Sequence, residues 1–380
     1  MSSLLHSLER IKTFCYGLVS GAGLIWCTIS VTSWGKGLAL LLIVLSLLPL
    51  TLRLRQSQLV FRRRWNWMNG TLLLLALFIG VWLVSASPTG QPPAGSPVSQ
   101  RFCGGQRFSR FAVPNIVPEI EQLNLGLHVF PLVDPMLTRE RARRLSQYTV
   151  DYYLEMERDP NFHALGSHMG EAYADLTGYD QPEGHYYLYV PHSAPQGPLP
   201  AIVFLHGSAG NFKVYTWIWA QLAEELGCVI IAPSFGFGFW DRPEGVATVR
   251  RVLDDAQTVV KLDPKRIHLA GLSNGGLGVC HAAHEMPGFF RSCIFISPVM
   301  ANVVNEARFL QNWSRRPMLF LTGEADERIP FDYVCKYTDT LKQGGVDIQF
   351  ATYPGEDHFL FFSQRQSVMN EISKWLKTQP

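Results

Sequence analysis

Residues 263–276 read Asp263-Pro264-Lys265-Arg266-Ile267-His268-Leu269-Ala270-Gly271-Leu272-Ser273-Asn274-Gly275-Gly276. Arg266 to Leu269 is a short run of strand type, and Leu277 to Ala283 can continue as a helix. Strand, tight turn and helix are the setting that a G-x-S-x-G elbow requires. The glycines answer to crowding: Gly271 and Gly275 leave room where a Cβ would collide with the strained turn. Such a turn lifts Ser273 Oγ to the top of a sheet and puts the N–H of Asn274 at a helix N-terminus, where negative charge is favoured. A glycine-rich turn that merely seats a helix close to a sheet is the plainer reading, and the rest of the chain decides between them.

Upstream, His185 to Pro191 alternates as a strand, and Leu199 to Leu205 is a continuous apolar run of the kind buried on both faces. It leads into His206-Gly207-Ser208-Ala209-Gly210-Asn211, a turn able to present backbone N–H groups to an anion, or else an ordinary connection. A helix over Tyr215 to Leu226 and a strand over Val229 to Ala232 follow. Next comes Pro233-Ser234-Phe235-Gly236-Phe237-Gly238-Phe239-Trp240-Asp241. It leaves a strand at its carboxyl end, where open α/β sheets bind ligands, so Phe235, Phe237, Phe239 and Trp240 are expected to form a substrate-facing rim, with local packing as the alternative. Val246 to Val260 reads as a helix. Downstream, Cys293 to Ile296, Met318 to Thr322 and Val346 to Ala351 read as strands, Tyr333 to Lys342 and Ser363 to Leu376 as helices. This alternation predicts an α/β fold with a mostly parallel sheet covered on both faces.

Serine, then an acid, then a histidine occur in that order, each just after a strand. The motifs Leu205–Gly210 (LHGSAG), Asp263–Gly276, Leu321–Pro330 (LTGEADERIP) and Tyr353–Leu360 (YPGEDHFL) resemble the α/β-hydrolase superfamily, over roughly Tyr186 to Trp375. Within it they look most like esterases of the polyhydroxybutyrate depolymerase and feruloyl esterase type and like prolyl-oligopeptidase-related hydrolases. The resemblance implies Ser273 as nucleophile, His358 as general base and acid, and Asp326 as the residue that orients the imidazole. Glu324, Glu327 and Asp357 are rivals for the acid. It also implies an oxyanion hole from the N–H groups of Ser208 and Asn274, with His206 and Gly207 beside the substrate. It implies no metal and no organic cofactor. The expected partner is a small-molecule or polymeric ester. A peptidase or acyltransferase on the same fold is the nearest alternative, and a non-catalytic binding module, or a transporter or sensor built on the membrane part, are the more distant ones.

The chain begins differently. Apolar segments run roughly over Phe14–Thr32, Leu38–Leu52 and Thr71–Ser85, each near or slightly below the ~20 residues that cross a bilayer. Trp34, Trp65 and Trp67 flank them as interfacial anchors would. A cleaved signal peptide fits poorly because two more apolar segments follow at once. Buried helices of a soluble domain fit poorly because no polar stripe runs along them. Arg10 and Lys12 precede the first segment, and Arg53, Arg55, Arg62, Arg63 and Arg64 lie between the second and third. By the positive-inside rule the N-terminus and this arginine loop are cytoplasmic. Everything after Ser85 is then extracytoplasmic. The expected organisation is a three-helix membrane anchor over 1–86, a Pro/Gly/Ser-rich linker over 87–101, an extension or lid over 102–184, and the catalytic domain over 185–380.

In the extension, Thr138 to Arg158 reads as a helix with a threonine N-cap. His163, His168 and Glu171 are residue types that bind metals, though loop histidines are more often surface or hydrogen-bonded groups. A net charge of +2 argues against a nucleic-acid binder. Seven cysteines without a C-x-x-C pair give no support to a zinc site of that kind and leave disulfide pairing open. The sequence sets no oligomeric state.

Overall fold

Unbroken apolar runs such as Leu199–Leu205 need cover on both faces, and in the computed structural model they lie at the centre of one sheet. Residues 2–57, 62–104, 108–179 and 184–379 are described. They form two units: Met1–Ser87 with Phe111–Phe130, and Pro88–Arg110 with Pro131–Pro380.

The first unit contains helices α1 (Ser2–Ile29), α2 (Ser33–Ser57), α3 (Arg62–Ala86) and α4 (Glu119–Val129). Among the described residues, two stretches, Ser33–Leu52 and Arg63–Ala86, are long and apolar enough to cross a membrane. This corrects the expectation of three spans. The α1 helix is long, but Lys12, Gly17, Ser20, Gly21 and Gly23 dilute its apolar surface. The side chains of Arg10, Arg53, Arg55 and Arg62, and residues 58–61, lie outside the described residues. Short polar contacts join the helices: Ser20 Oγ to Ser46 Oγ at 2.6 Å and Thr51 Oγ1 to Asn69 Oδ1 at 2.5 Å. Buried Glu121 on α4 serves the α1–α2 turn. Its Oε1 accepts from the N–H of Thr32 at 2.7 Å and of Val31 at 3.1 Å. Asn124 Nδ2 donates to Ile29 O at 2.8 Å. One helix thus satisfies donors at the start of α2 and an acceptor at the end of α1, groups that helix ends leave unpaired.

The second unit holds an eight-stranded sheet: β1 (Val98–Phe102), β2 (His185–Tyr189), β3 (Leu199–Leu205), β4 (Val229–Pro233), β5 (Leu262–Leu272), β6 (Ser292–Ile296), β7 (Pro317–Gly323) and β8 (Asp347–Tyr353). The order is β1-β2-β4-β3-β5-β6-β7-β8. From β4 to β8 neighbours run parallel, while β1–β2 and β2–β4 run antiparallel. The sheet is therefore mixed, and β1 begins inside the stretch that reads as linker. That stretch also follows a fixed course: Gly90 N donates to Ala164 O at 2.9 Å and Gln100 Nε2 to Gly90 O at 3.1 Å.

The helices of this unit are α5 (Arg139–Met156), α6 (Met169–Thr177), α7 (Lys213–Leu226), α8 (Pro243–Gln257), α9 (Gly275–Glu285), α10 (Phe331–Gln343) and α11 (Arg365–Leu376), with shorter turns between. Thr138 does cap α5, its Oγ1 accepting from Arg141 N at 3.2 Å. Arg101 on β1 and Tyr186 on β2 both bond Asp255 Oδ2 on α8, at 3.0 and 2.6 Å. All seven cysteines are free thiols.

Three histidines are buried in or beside the sheet. Burial lowers His206 and His268 from 6.5 to about 4. It lowers His185 well below its ordinary value, with His168 stacked 3.5 Å away as a second cause. The unfolded chain therefore binds protons between about pH 6.5 and pH 4 that the folded chain refuses. Stability is full above the unfolded value and falls as pH drops toward 4. Calorimetry of the full chain in detergent should show Tm falling steadily over this window. His268→Asn, which retains a hydrogen-bonding group opposite Ser292 Oγ, should flatten part of the slope. A Tm indifferent to pH from 7 to 4 would contradict the argument.

Candidate active site

Ser273 stands between β5 and α9 with φ 52°, a left-handed conformation that costs about 1–3 kcal/mol in a non-glycine residue. Neighbouring backbone holds it there: Ser273 N donates to Ile296 O, and Ser273 O accepts from Gly276 N and Val299 N, each at 2.9 Å. The glycines are required by space. A Cβ on Gly271 would stand 2.5 Å from Gly275 O, and one on Gly275 would stand 2.1 Å from Leu205 O.

The loops after β7 and β8 bring the acid and the histidine to the serine. His358 Nε2 is 3.0 Å from Ser273 Oγ, and His358 Nδ1 is 2.9 Å from Asp326 Oδ2. Asp326 is buried, and its Oδ1 accepts from Arg328 N at 2.9 Å and Ile329 N at 2.8 Å. With a carboxylate facing Nδ1, the ring proton belongs there, and the Nε2 lone pair faces the serine hydroxyl. The rival acids are occupied elsewhere or turned outward: Glu327 pairs with Arg141, Asp357 Oδ1 accepts from Phe359 N, and Glu324 is exposed.

Ser208 and Asn274 lie side by side, Asn274 Nδ2 donating to Ser208 Oγ at 2.9 Å. Among the described residues, neither backbone N–H has a protein acceptor. A pair of free amides beside an exposed hydroxyl can receive an oxyanion.

The expected substrate residues divide. His206 is fully buried and takes no part in a surface. Its Nδ1 donates to Gly207 O at 2.7 Å, and its Nε2 accepts from Phe235 N at 3.1 Å, so it is neutral and braces the loop. Phe235 and Trp240 are 7% and 0% exposed and belong to the core. Trp240 Nε1 donates to His206 O at 2.8 Å, and the rings of Phe235 and Trp240 lie 4.9 Å apart. The rim reading thus fails for these two. Phe237 and Phe239 remain half-exposed, their rings 5.3 Å apart, and Gly207 packs against Ser273. Nothing in the sequence signals Asp175 on α6. Its Oδ2 accepts from Phe237 N at 2.9 Å, and its Oδ1 pairs with Arg242 at 2.6 Å, so it sets the course of the aromatic loop.

The three metal-type residues fall into two separate networks. His163 pairs with Glu157, which also binds Lys213, and His168 pairs with Glu171. Among the described residues no group of three or more His, Cys, Asp or Glu could hold a metal ion.

Residues 202–339 match the Alpha/beta hydrolase family, and the sheet around them has the α/β-hydrolase fold. The chain is similar to the acylamino-acid-releasing enzyme of Homo sapiens, 24% identical over 243 residues, covering 50% of this chain and 33% of that protein. The chain thus spans about a third of the curated relatives it matches first. It is 30% identical over 107 residues to the bifunctional acetylxylan esterase/xylanase XynS20E of Neocallimastix patriciarum, covering 26% of this chain and 16% of that one. Among solved structures, a thermostable esterase aligns with 23% identity and a TM-score of 0.43, over 51% of this chain and 59% of that one.

Because Trp240 is core, Trp240→Ala should cost about 3–5 kcal/mol of stability. Turnover of acetyl and bulky esters should then fall together. A selective loss on bulky esters at unchanged Tm would restore the rim reading for this residue.

Proposed function

We propose that the chain is a membrane-anchored serine hydrolase that cleaves carboxylic esters through an acyl-enzyme intermediate. The observation that carries this reading is the run of hydrogen bonds from Asp326 through His358 to Ser273, beside two amides without protein acceptors. Ser273 Oγ attacks the substrate carbonyl carbon as its proton passes to His358 Nε2. Charge gathering on the carbonyl oxygen meets the N–H groups of Ser208 and Asn274, donors of a kind worth about 3–4 kcal/mol each in the transition state. The bond to the alcohol oxygen then breaks, and the imidazolium proton goes to that oxygen. Water attacks the acyl-serine, gives a proton to His358, and the carboxylic acid leaves as Ser273 regains its hydrogen. Asp326 accepts from Nδ1 throughout, which fixes the tautomer and stabilises the imidazolium. Phe237 and Phe239 offer an apolar wall to an acyl or alcohol group.

The similarity to the acylamino-acid-releasing enzyme favours a second reading, in which the same steps cleave an amide. Acyl transfer needs only an alcohol in place of water.

The anchoring part of the proposal rests on α2 and α3. With the arginines between them in the cytoplasm, the end of α3 and the unit that bears Ser273 lie on the other side of the membrane. The spans carry few ionisable groups that could line a path, which argues against a transporter.

Ser273→Ala should abolish fluorophosphonate labelling and lower ester turnover on the order of 10⁶-fold. Asp326→Asn should leave the fold intact and cost about 10⁴ in kcat, with Glu324→Gln and Glu327→Gln costing far less. Unchanged turnover in folded Ser273→Ala protein, or a more severe loss at a rival acid, would overturn the assignments. A panel of p-nitrophenyl esters and aminoacyl amides separates ester from amide preference. A reporter active only outside the cytoplasm should be active when fused after Pro97 and silent when fused after Gln58; the reverse pattern would overturn the orientation.

A further inference from the structure

Asp326 and His358 sit in separate loops, after β7 and after β8. Each has an acidic neighbour in sequence, Glu327 beside Asp326 and Asp357 beside His358. Both neighbours face one guanidinium, that of Arg141 in the first turn of α5. Arg141 Nη1 is 2.7 Å from Glu327 Oε2, and Arg141 Nε is 3.6 Å from Asp357 Oδ2. Arg141 Nη1 also donates to Met136 O at 3.2 Å, and the Arg141 backbone is fixed by the Thr138 cap. A second tie lies next to it: Arg328, two residues past Asp326, bonds Asp134 at 2.6 Å. Asp357 is itself structural, since its Oδ1 accepts from Phe359 N across the turn that holds His358.

These ion pairs are not a major source of stability. Glu327 is 67% exposed, and exposed pairs contribute little to stability. Their geometry is the more telling property. A guanidinium offers donors along two edges and can engage two carboxylates at once, which an ammonium on a flexible stem does poorly. Both ties come from residues 134–141, outside the segment that matches the hydrolase family.

We propose that Arg141, assisted by Asp134, is a positioning residue that sets the spacing between the acid loop and the histidine loop. The extension is on this view part of the catalytic apparatus. The proposal rests on the triad assigned above. Arg141 acts through Asp326 and His358, so its loss should lower kcat and spare KM. A misplacement of about 1 Å can cost 10²-fold in rate.

The test uses the full chain in detergent, p-nitrophenyl acetate as substrate, and fluorophosphonate titration to count competent sites. Arg141→Ala should lower kcat per titrated site about 10- to 100-fold, with KM changed less than about twofold and Tm nearly unchanged. Arg141→Lys should recover part of the loss. The charge-exchanged pair Arg141→Glu with Glu327→Arg should exceed either single reversal. Unchanged kcat per site in Arg141→Ala would overturn the proposal. So would a loss in which Tm and labelling fall together while kcat per site is preserved. Ser273→Ala runs in parallel: turnover that survives there overturns the triad, whereas its loss beside an unaffected Arg141→Ala overturns the positioning role alone.

Discussion

The site depends on one close approach. A Cβ on Gly275 would stand 2.1 Å from the carbonyl oxygen of Leu205, so α9 begins almost in contact with the end of β3. Because it does, the turn leaving β3 and the turn leaving β5 share one crevice, and Ser208 and Asn274 come within a side-chain hydrogen bond of each other. Any residue other than glycine would push the start of α9 away from the end of β3. The strain at Ser273 follows from the same crowding: the chain must reverse within the space between β5 and α9, and a left-handed residue is what fits.

Much of this was legible from sequence because it depends on local pattern. Leu199–Leu205 reads as a strand covered on both faces, and Gly271, Ser273 and Gly275 read as a crowded turn, and the structure has both. Asp326 and His358 each follow a strand, and the parallel topology brings strand ends to one edge. The features that escaped depend on tertiary contacts. Phe235 and Trp240 alternate with glycines in a connecting segment, which looks like a flexible exposed rim. They are buried because the His206 carbonyl offers the indole N–H a partner and the core offers the rings a place. Val98–Phe102 has no apolar run, and its strand character comes from pairing with β2. Arg141 and Asp175 resemble any charged residue on a solvated helix face, and only the folded chain shows what each one holds.

Seen from the site, the extension grips on two sides. Through Asp175, α6 fixes the loop that runs past Ser208, and through Arg141 the start of α5 meets the loops of Asp326 and His358. The core sheet supplies the strand ends, and the extension supplies restraint where those ends have become loops. Such a division is expected wherever reacting groups must be held to a fraction of an ångström by segments that the sheet cannot reach.

The unit that holds the sheet is also discontinuous in the chain. It includes Pro88–Arg110, gives way to Phe111–Phe130 in the other unit, and resumes at Pro131. Its first strand is therefore on the far side of an excursion from the seven that follow. A cut at the start of β2 would strip a partner from Tyr186–Tyr189 and leave a raw edge open to pairing with other chains. A junction before Pro88 keeps β1 with β2 but carries Phe111–Phe130 away from the helices it is grouped with, so no single breakpoint divides the chain cleanly into its two units.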